Sequence, residues 1–338
     1  MLRPSFIYSS ALFLTIVFIF AASSMALEIT PFRTANRSPL LYFFGIPSDT
    51  SSDLLGAGKW EFSVAQDIAS INVIDHTAHE QMFLDGELYR WSLIGKYGLG
   101  QNMELGFELP YVAQTGGFLD GFIVNWHDFF GLPQGGRNDL PRNRLKYRYT
   151  KDGVSQLDAS PASNGISDIS LLAGYQLYAH KSEQDHDTLA LRAQLKLPTG
   201  DSSEMLGSGS TDLALFVTGS RNSRNEWGTV GSFASLGGMY SSDGEILKHQ
   251  RQNLAGFGTI GTGWSPAEWI AFKLQGHLTS PLYKDSSLRE LGSWTFLLTM
   301  GGTLKFPDNY LLDIGVGEDI LVNSAPDVTF NLALTKRF

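Results

Sequence analysis

Residues 328–338 alternate in polarity up to the last residue of the chain. Val328, Phe330, Leu332 and Leu334 fall on one parity; Thr329, Asn331, Thr335 and Arg337 fall on the other, and Phe338 ends the run. A period of two places the apolar set on one face of a strand and the polar set on the opposite face. A C-terminal strand that is apolar outside, polar inside and closed by an aromatic residue is what a sheet needs to seal itself in lipid. The expected fold is therefore all-β: a transmembrane antiparallel β-barrel.

The rest of the chain supports this solvent. Arg3, the apolar run Ala11–Ala22 and the small residues of Ser24-Met25-Ala26 read as a secretory signal over residues 1–26. After Leu27 no apolar stretch is long enough for a transmembrane helix. Even so, 43% of residues are hydrophobic, only 17% are charged and 36 are glycine, which suits many short strands joined by turns. Alternating segments predict about twelve strands, near 58–73, 82–98, 102–112, 166–179, 187–198, 211–221, 226–240, 252–264, 268–280, 292–306, 309–321 and 327–338. Short connections then follow the even-numbered strands and long ones the odd, as periplasmic turns and outer loops do. The division is a signal at 1–26, a periplasmic N-terminal segment or plug at 27–57 and an outer-membrane barrel at 58–338.

Inward parity collects Arg90, Lys96, Glu104, Glu108, Arg192, Lys196, Lys273, His277 and Asp313 as candidate lumen residues. They provide either a polar path for a solute or ion pairs that fill a narrow barrel. A turn centred on Gly100 would set Lys96 opposite Glu104. The long outer connection from Val112 to Gly165 repeats Phe118, Leu119, Phe122, Ile123, Trp126, Phe129 and Phe130 at helical spacing. We expect a short amphipathic helix that closes the barrel mouth as a lid, with Phe122, Trp126, Phe129 and Phe130 as gating residues; the other possible position is on the outer leaflet. Arg137, Arg142, Arg144 and Arg148 follow, a basic cluster that would meet an anionic solute or lipopolysaccharide phosphates.

No His-Glu-x-x-His, Gly-x-Ser-x-Gly or P-loop sequence is present, so no catalytic or metal residue is assigned and no cofactor is expected. His76 and His79 are three apart in a loop, and Asp185-His186-Asp187 reads as a polar turn. The net charge of −9 argues against nucleic-acid binding.

Two short motifs carry resemblances. Asn164-Gly165-Ile166-Ser167-Asp168-Ile169-Ser170-Leu171 resembles a strand opening common in proteobacterial barrels. Lys196-Leu197-Pro198-Thr199-Gly200-Asp201 is similar to the strand exit of barrels associated with meta-pathway phenol degradation. More extensively, Pro31-Phe32-Arg33-Thr34-Ala35-Asn36 and Trp126-His127-Asp128-Phe129-Phe130-Gly131-Leu132-Pro133, through to the C-terminal strands, resemble the uncharacterised proteobacterial outer-membrane family 3187 of unknown function. The resemblance implies an outer-membrane protein. The expected role is a passive pore for a small, hydrophobic or aromatic solute. A structural or lipopolysaccharide-contacting barrel and a barrel enzyme acting on lipid are the alternatives. Expected partners are outer-membrane lipids, lipopolysaccharide and the barrel-assembly machinery, which would read the C-terminal strand. Lys336, on the apolar parity, departs from the usual terminal pattern.

Overall fold

The computed structural model describes residues 27–131, 141–321 and 325–338; the expected signal at 1–26 lies outside them. In chain order the strands are β1 (Trp60–His76), β2 (Glu80–Gly98), β3 (Met103–Thr115), β4 (Lys146–Lys151), β5 (Val154–Ala159), β6 (Ser163–Ile166), β7 (Ser170–Lys181), β8 (Asp185–Lys196), β9 (Asp212–Asn225), β10 (Gly228–Ser241), β11 (Leu254–Ala267), β12 (Ile270–Thr279), β13 (Thr295–Phe306), β14 (Tyr310–Asp319) and β15 (Val328–Arg337). Two helices lie in loops: α1 (Asp120–Phe130) between β3 and β4, and α2 (Arg289–Gly292) between β12 and β13.

Twelve strands form the wall. Pairing runs antiparallel from β15 down to β7, then through β3 and β2 to β1, and β1 pairs with β15 to close the ring. Closure leaves no strand edge open to hydrocarbon. Twelve expected strands thus match twelve observed ones. The outer loop from β3 to β7 holds three further strands that the alternation did not reveal. β4 and β5 form a hairpin that extends β2 beyond the membrane, and β6 pairs with the end of β3. At 4–6 residues they are too short to carry a clear period.

Alternation sorts the wall into two faces. Val64, Leu93, Leu105, Leu215, Leu236, Ile260, Phe272 and Leu334 point outward and are exposed, as residues whose solvent is lipid must be. Aromatic rings mark the periplasmic rim, where Trp60 lies 4.4 Å from Tyr97 and Phe338 packs edge-on against Phe62. The Phe338 amide donates to the Trp60 carbonyl at 2.9 Å, so the last residue is part of the seam. Lys336 snorkels there: its Nζ sits 4.4 Å from the Tyr310 ring centre and 4.9 Å from that of Phe338. The apolar belt and closed sheet are those of an outer-membrane barrel.

The inward face is polar and does not enclose open water. Residues 27–56 have no regular strand or helix, yet most are buried, including Ile29, Phe32, Arg37, Leu40 and Phe43. This segment runs inside the barrel. Its aromatic turn at 39–44 joins a cluster with Leu84, Tyr147, Tyr149, Leu206, Phe257, Tyr283 and Leu291, so the main apolar core lies under the outer loops. Tyr283 Oη donates to the Leu40 carbonyl at 2.7 Å, and the Arg251 guanidinium lies 4.1 Å over the Phe44 ring. Close approach also requires small wall residues: a side chain at Gly231 would collide with Ile29.

Candidate functional site

The site is the interface between the inserted segment and the wall. An irregular chain inside a barrel has unpaired backbone groups, and each must find a partner. Inward side chains of the wall supply them from many directions. Leu27 N donates to Ser265 Oγ at 2.8 Å, Ile29 N to Asn222 Oδ1 at 2.7 Å and Phe32 N to Gln275 Oε1 at 2.8 Å. Further along, Gly45 N donates to Asp212 Oδ2 at 2.7 Å, Leu54 N to Gln176 Oε1 at 2.9 Å and Leu55 N to Glu104 Oε2 at 3.0 Å. In the other direction, Asn331 Nδ2 donates to the Arg33 carbonyl at 3.1 Å and Lys196 Nζ to that of Phe43 at 2.8 Å.

Charges within the segment are matched in the same way. Arg37 Nε meets Asp67 Oδ2 at 2.6 Å. Asp49 takes hydrogen bonds from Thr259 Oγ1 at 2.6 Å and Gln275 Nε2 at 2.9 Å, and faces His277 Nδ1 at 3.2 Å.

Of the nine inward residues singled out from parity, eight lie in ion pairs and His277 lies against a carboxylate. Arg90 pairs with Glu108 at 2.7 Å, Arg192 with Glu104 at 3.0 Å and Lys273 with Asp313 at 2.7 Å. Lys196 lies between Asp168 at 2.8 Å and Asp212 at 3.1 Å, and His277 faces Asp49. Lys96 differs from its expected register. It sits opposite Gly106, and Glu104 sits opposite Gly98, because the turn closes from Leu99 N to the Met103 carbonyl. Its nearest partner is Glu61 at 3.0 Å, with Glu104 reached diagonally at 4.0 Å. Sequence reading missed Glu61, Asp67, Gln275, Asn222 and Gln176 on the wall. Their inward parity was available, but nothing marked them as facing a second chain segment. Arg37 and Asp49 carried no periodic signal at all.

The helix expected as a lid over the mouth is on the outer wall instead. The Phe122 ring lies 5.9 Å from Phe330, which faces outward on β15, and the Phe118 ring lies 6.4 Å from Tyr89, outward on β2. Leu119 N donates to Glu87 Oε1 at 2.6 Å, a carboxylate on the same outer face. An amphipathic period indicates that one helix face is covered without saying by what, and both mouth and belt are apolar. Phe129 is exposed; the side chains of Trp126 and Phe130, and the whole of Arg137, lie outside the described residues. Arg144 Nε pairs with Asp85 at 2.8 Å, Arg148 with Asp158 at 3.0 Å, and Arg142 is exposed beside the first turn of α1.

At the periplasmic rim, donor atoms of Glu28, Asp53 and His186 lie within 4.8 Å of one another, a set that could hold a divalent cation. Burial, then the charge of Asp53, raises the Glu28 carboxyl above its ordinary range. His79 faces Asp152 at 3.0 Å in the exposed first outer loop. Thr259 Oγ1 and Asp49 Oδ2 both lie against Nδ1 of His277, at 2.8 and 3.2 Å.

The fold has a solved counterpart. The COG4313 outer membrane channel from Pseudomonas putida F1 aligns over 85% of this chain and 98% of its own, with 14% identity and a TM-score of 0.52. The toluene transporter TbuX of Ralstonia pickettii aligns over 94% and 98% with 11% identity and a TM-score of 0.37. No curated protein matches the chain. A family model covers residues 7–338, almost the whole sequence, and the chain belongs to that family, DUF3187, described as a protein of unknown function.

Proposed function

We propose that this barrel is an outer-membrane channel for a small hydrophobic or aromatic solute, closed at rest by residues 27–56 and opened when they shift. The observation that carries the reading is the way the segment is held. Outside the apolar turn at 39–44, many of its contacts with the wall are hydrogen bonds and ion pairs, which water can replace as the segment moves. The cavities left between segment and wall have room for only a water or two each, so transit requires movement.

The solute class is read from two features. An apolar cluster lies beneath the outer loops, a medium into which a hydrophobic molecule can partition once the loops and the segment part. The Lys196–Asp201 motif resembles phenol-associated barrels. The counterpart from Pseudomonas putida is itself a channel, which supports transport over catalysis, and we read this chain as non-enzymatic.

The chain has no cysteine, so an introduced pair is the sole thiol pair. Ser52 Oγ and Thr188 Oγ1 are 2.6 Å apart across the interface, within reach of a disulfide after substitution. Oxidised S52C/T188C protein should be impermeable to a small aromatic alcohol in liposome assays, and reduction should restore flux. Equal flux in both redox states would refute gating by the segment.

A further inference from the structure

We propose that the outward face of β4 and the chain leading into it, together with α1, binds the lipid A part of lipopolysaccharide. Alternate residues Arg142, Arg144, Lys146 and Arg148 are all basic. In the β2–β4 ladder Lys146 pairs with Asp85 and Arg148 with Phe83, and directly paired residues share a face. Phe83 and Asp85 have the outward parity of Trp91 and Leu93, which are exposed to lipid. Arg144 confirms the side, since it pairs with Asp85 and its guanidinium lies 4.7 Å over the Phe83 ring. The inward residues Tyr147 and Tyr149 are fully buried and fix the hairpin.

The stripe is at the correct height. β2 enters from the outer loops at Glu80, so residues 83–85 stand above Tyr89 and Trp91, which stack 6.0 Å apart on the same face. Below the cations, at the level of Tyr89 and Phe330, lie the rings of Phe118, just before α1, and of Phe122 in it; both are exposed, as is Phe129 of α1. Cations above and aromatic rings below match a lipid with phosphates on its headgroup and several acyl chains. Among the described residues neither Arg142 nor Lys146 makes a salt bridge, Asp85 opposite Lys146 being engaged by Arg144, and the Arg148–Asp158 pair is half exposed, so a phosphate can compete for it.

The test uses the full-length protein in detergent and a fluorescent bis-phosphorylated lipid A. Competitors are dephosphorylated lipid A, phosphatidylglycerol and inorganic phosphate. R142E/K146E should weaken binding by about tenfold or more, and R142K/K146R should retain it. R142Q/K146Q serves if charge reversal prevents folding, which heat-modifiable gel migration reports. Unlabelled lipid A should displace the probe, and the three competitors should not. Unchanged affinity in the charge-reversed or neutral variant would overturn the proposal. So would displacement by phosphatidylglycerol, which marks a general anionic-lipid surface, or by inorganic phosphate, which marks a free-anion site.

Discussion

Glu290 shows how far a single buried carboxyl can depart from solution behaviour. It lies in α2 among the outer loops, and its Oε2 has no hydrogen-bond partner among the described residues. Burial first, then the charges of Asp75, Asp319 and Asp327, push its pKa up to about 9 from 4.5. Between those values the folded chain holds a proton that the unfolded chain has released, so folding stability falls as pH rises through that window. The contribution is complete below the lower value and gone above the upper one. Amide-exchange protection of residues 282–292 should therefore decline from about pH 6 to about pH 9, and Glu290→Gln should flatten that slope; equal slopes would show that the carboxyl is ionised throughout. Glu290 was invisible in the sequence, because nothing in a loop residue's neighbours announces burial. The nine lumen residues were legible because parity alone turns Arg90 or Lys273 inward. Arg37 and Asp49 of the inserted segment were not, since an aperiodic segment gives no clue to its direction.

At the scale of elements, the strands were legible because each carries its own period, and β4–β6 were not because they borrow their order from β2 and β3. The existence of α1 was readable and its docking was not. Gly117 is central to that docking. It has φ +67°, and a Cβ there would overlap the Glu87 carboxylate that caps the start of the helix segment. Gly117→Val should cost about 1–2 kcal/mol in backbone strain alone, with the steric clash in addition. The expected result is release of α1 from β2 and β15. Hydrogen exchange of residues 118–131 should quicken by at least about fivefold, as that free energy requires, while the strand amides of β8–β13 stay protected. Unchanged exchange in α1 would mean that Phe122 against Phe330 holds the helix without the Glu87 contact.

For the whole molecule, one sequence pattern served two different interiors. Polar residues on every inward parity are what a water-filled channel needs and equally what a wall facing a polar chain needs, so alternation fixed the barrel and left its contents open. The structure separates the two parts energetically. The ring closes through β1 and β15 and the ladders between them, none of which runs through residues 27–56. Most of the wall charges keep a partner within the wall itself, as Arg90–Glu108, Arg192–Glu104 and Lys273–Asp313 do. Removing the segment would let water reach these pairs rather than orphan them, and hydrated pairs are not costly. A chain lacking residues 27–56 should therefore still fold to a heat-modifiable barrel. Its single-channel conductance in planar bilayers should exceed that of the intact protein by roughly tenfold or more, since a water-filled lumen replaces a packed one. Conductance no greater than that of the intact chain would place the seal in the apolar cluster of the outer loops, where Tyr283 and Leu291 would then be the residues to remove next.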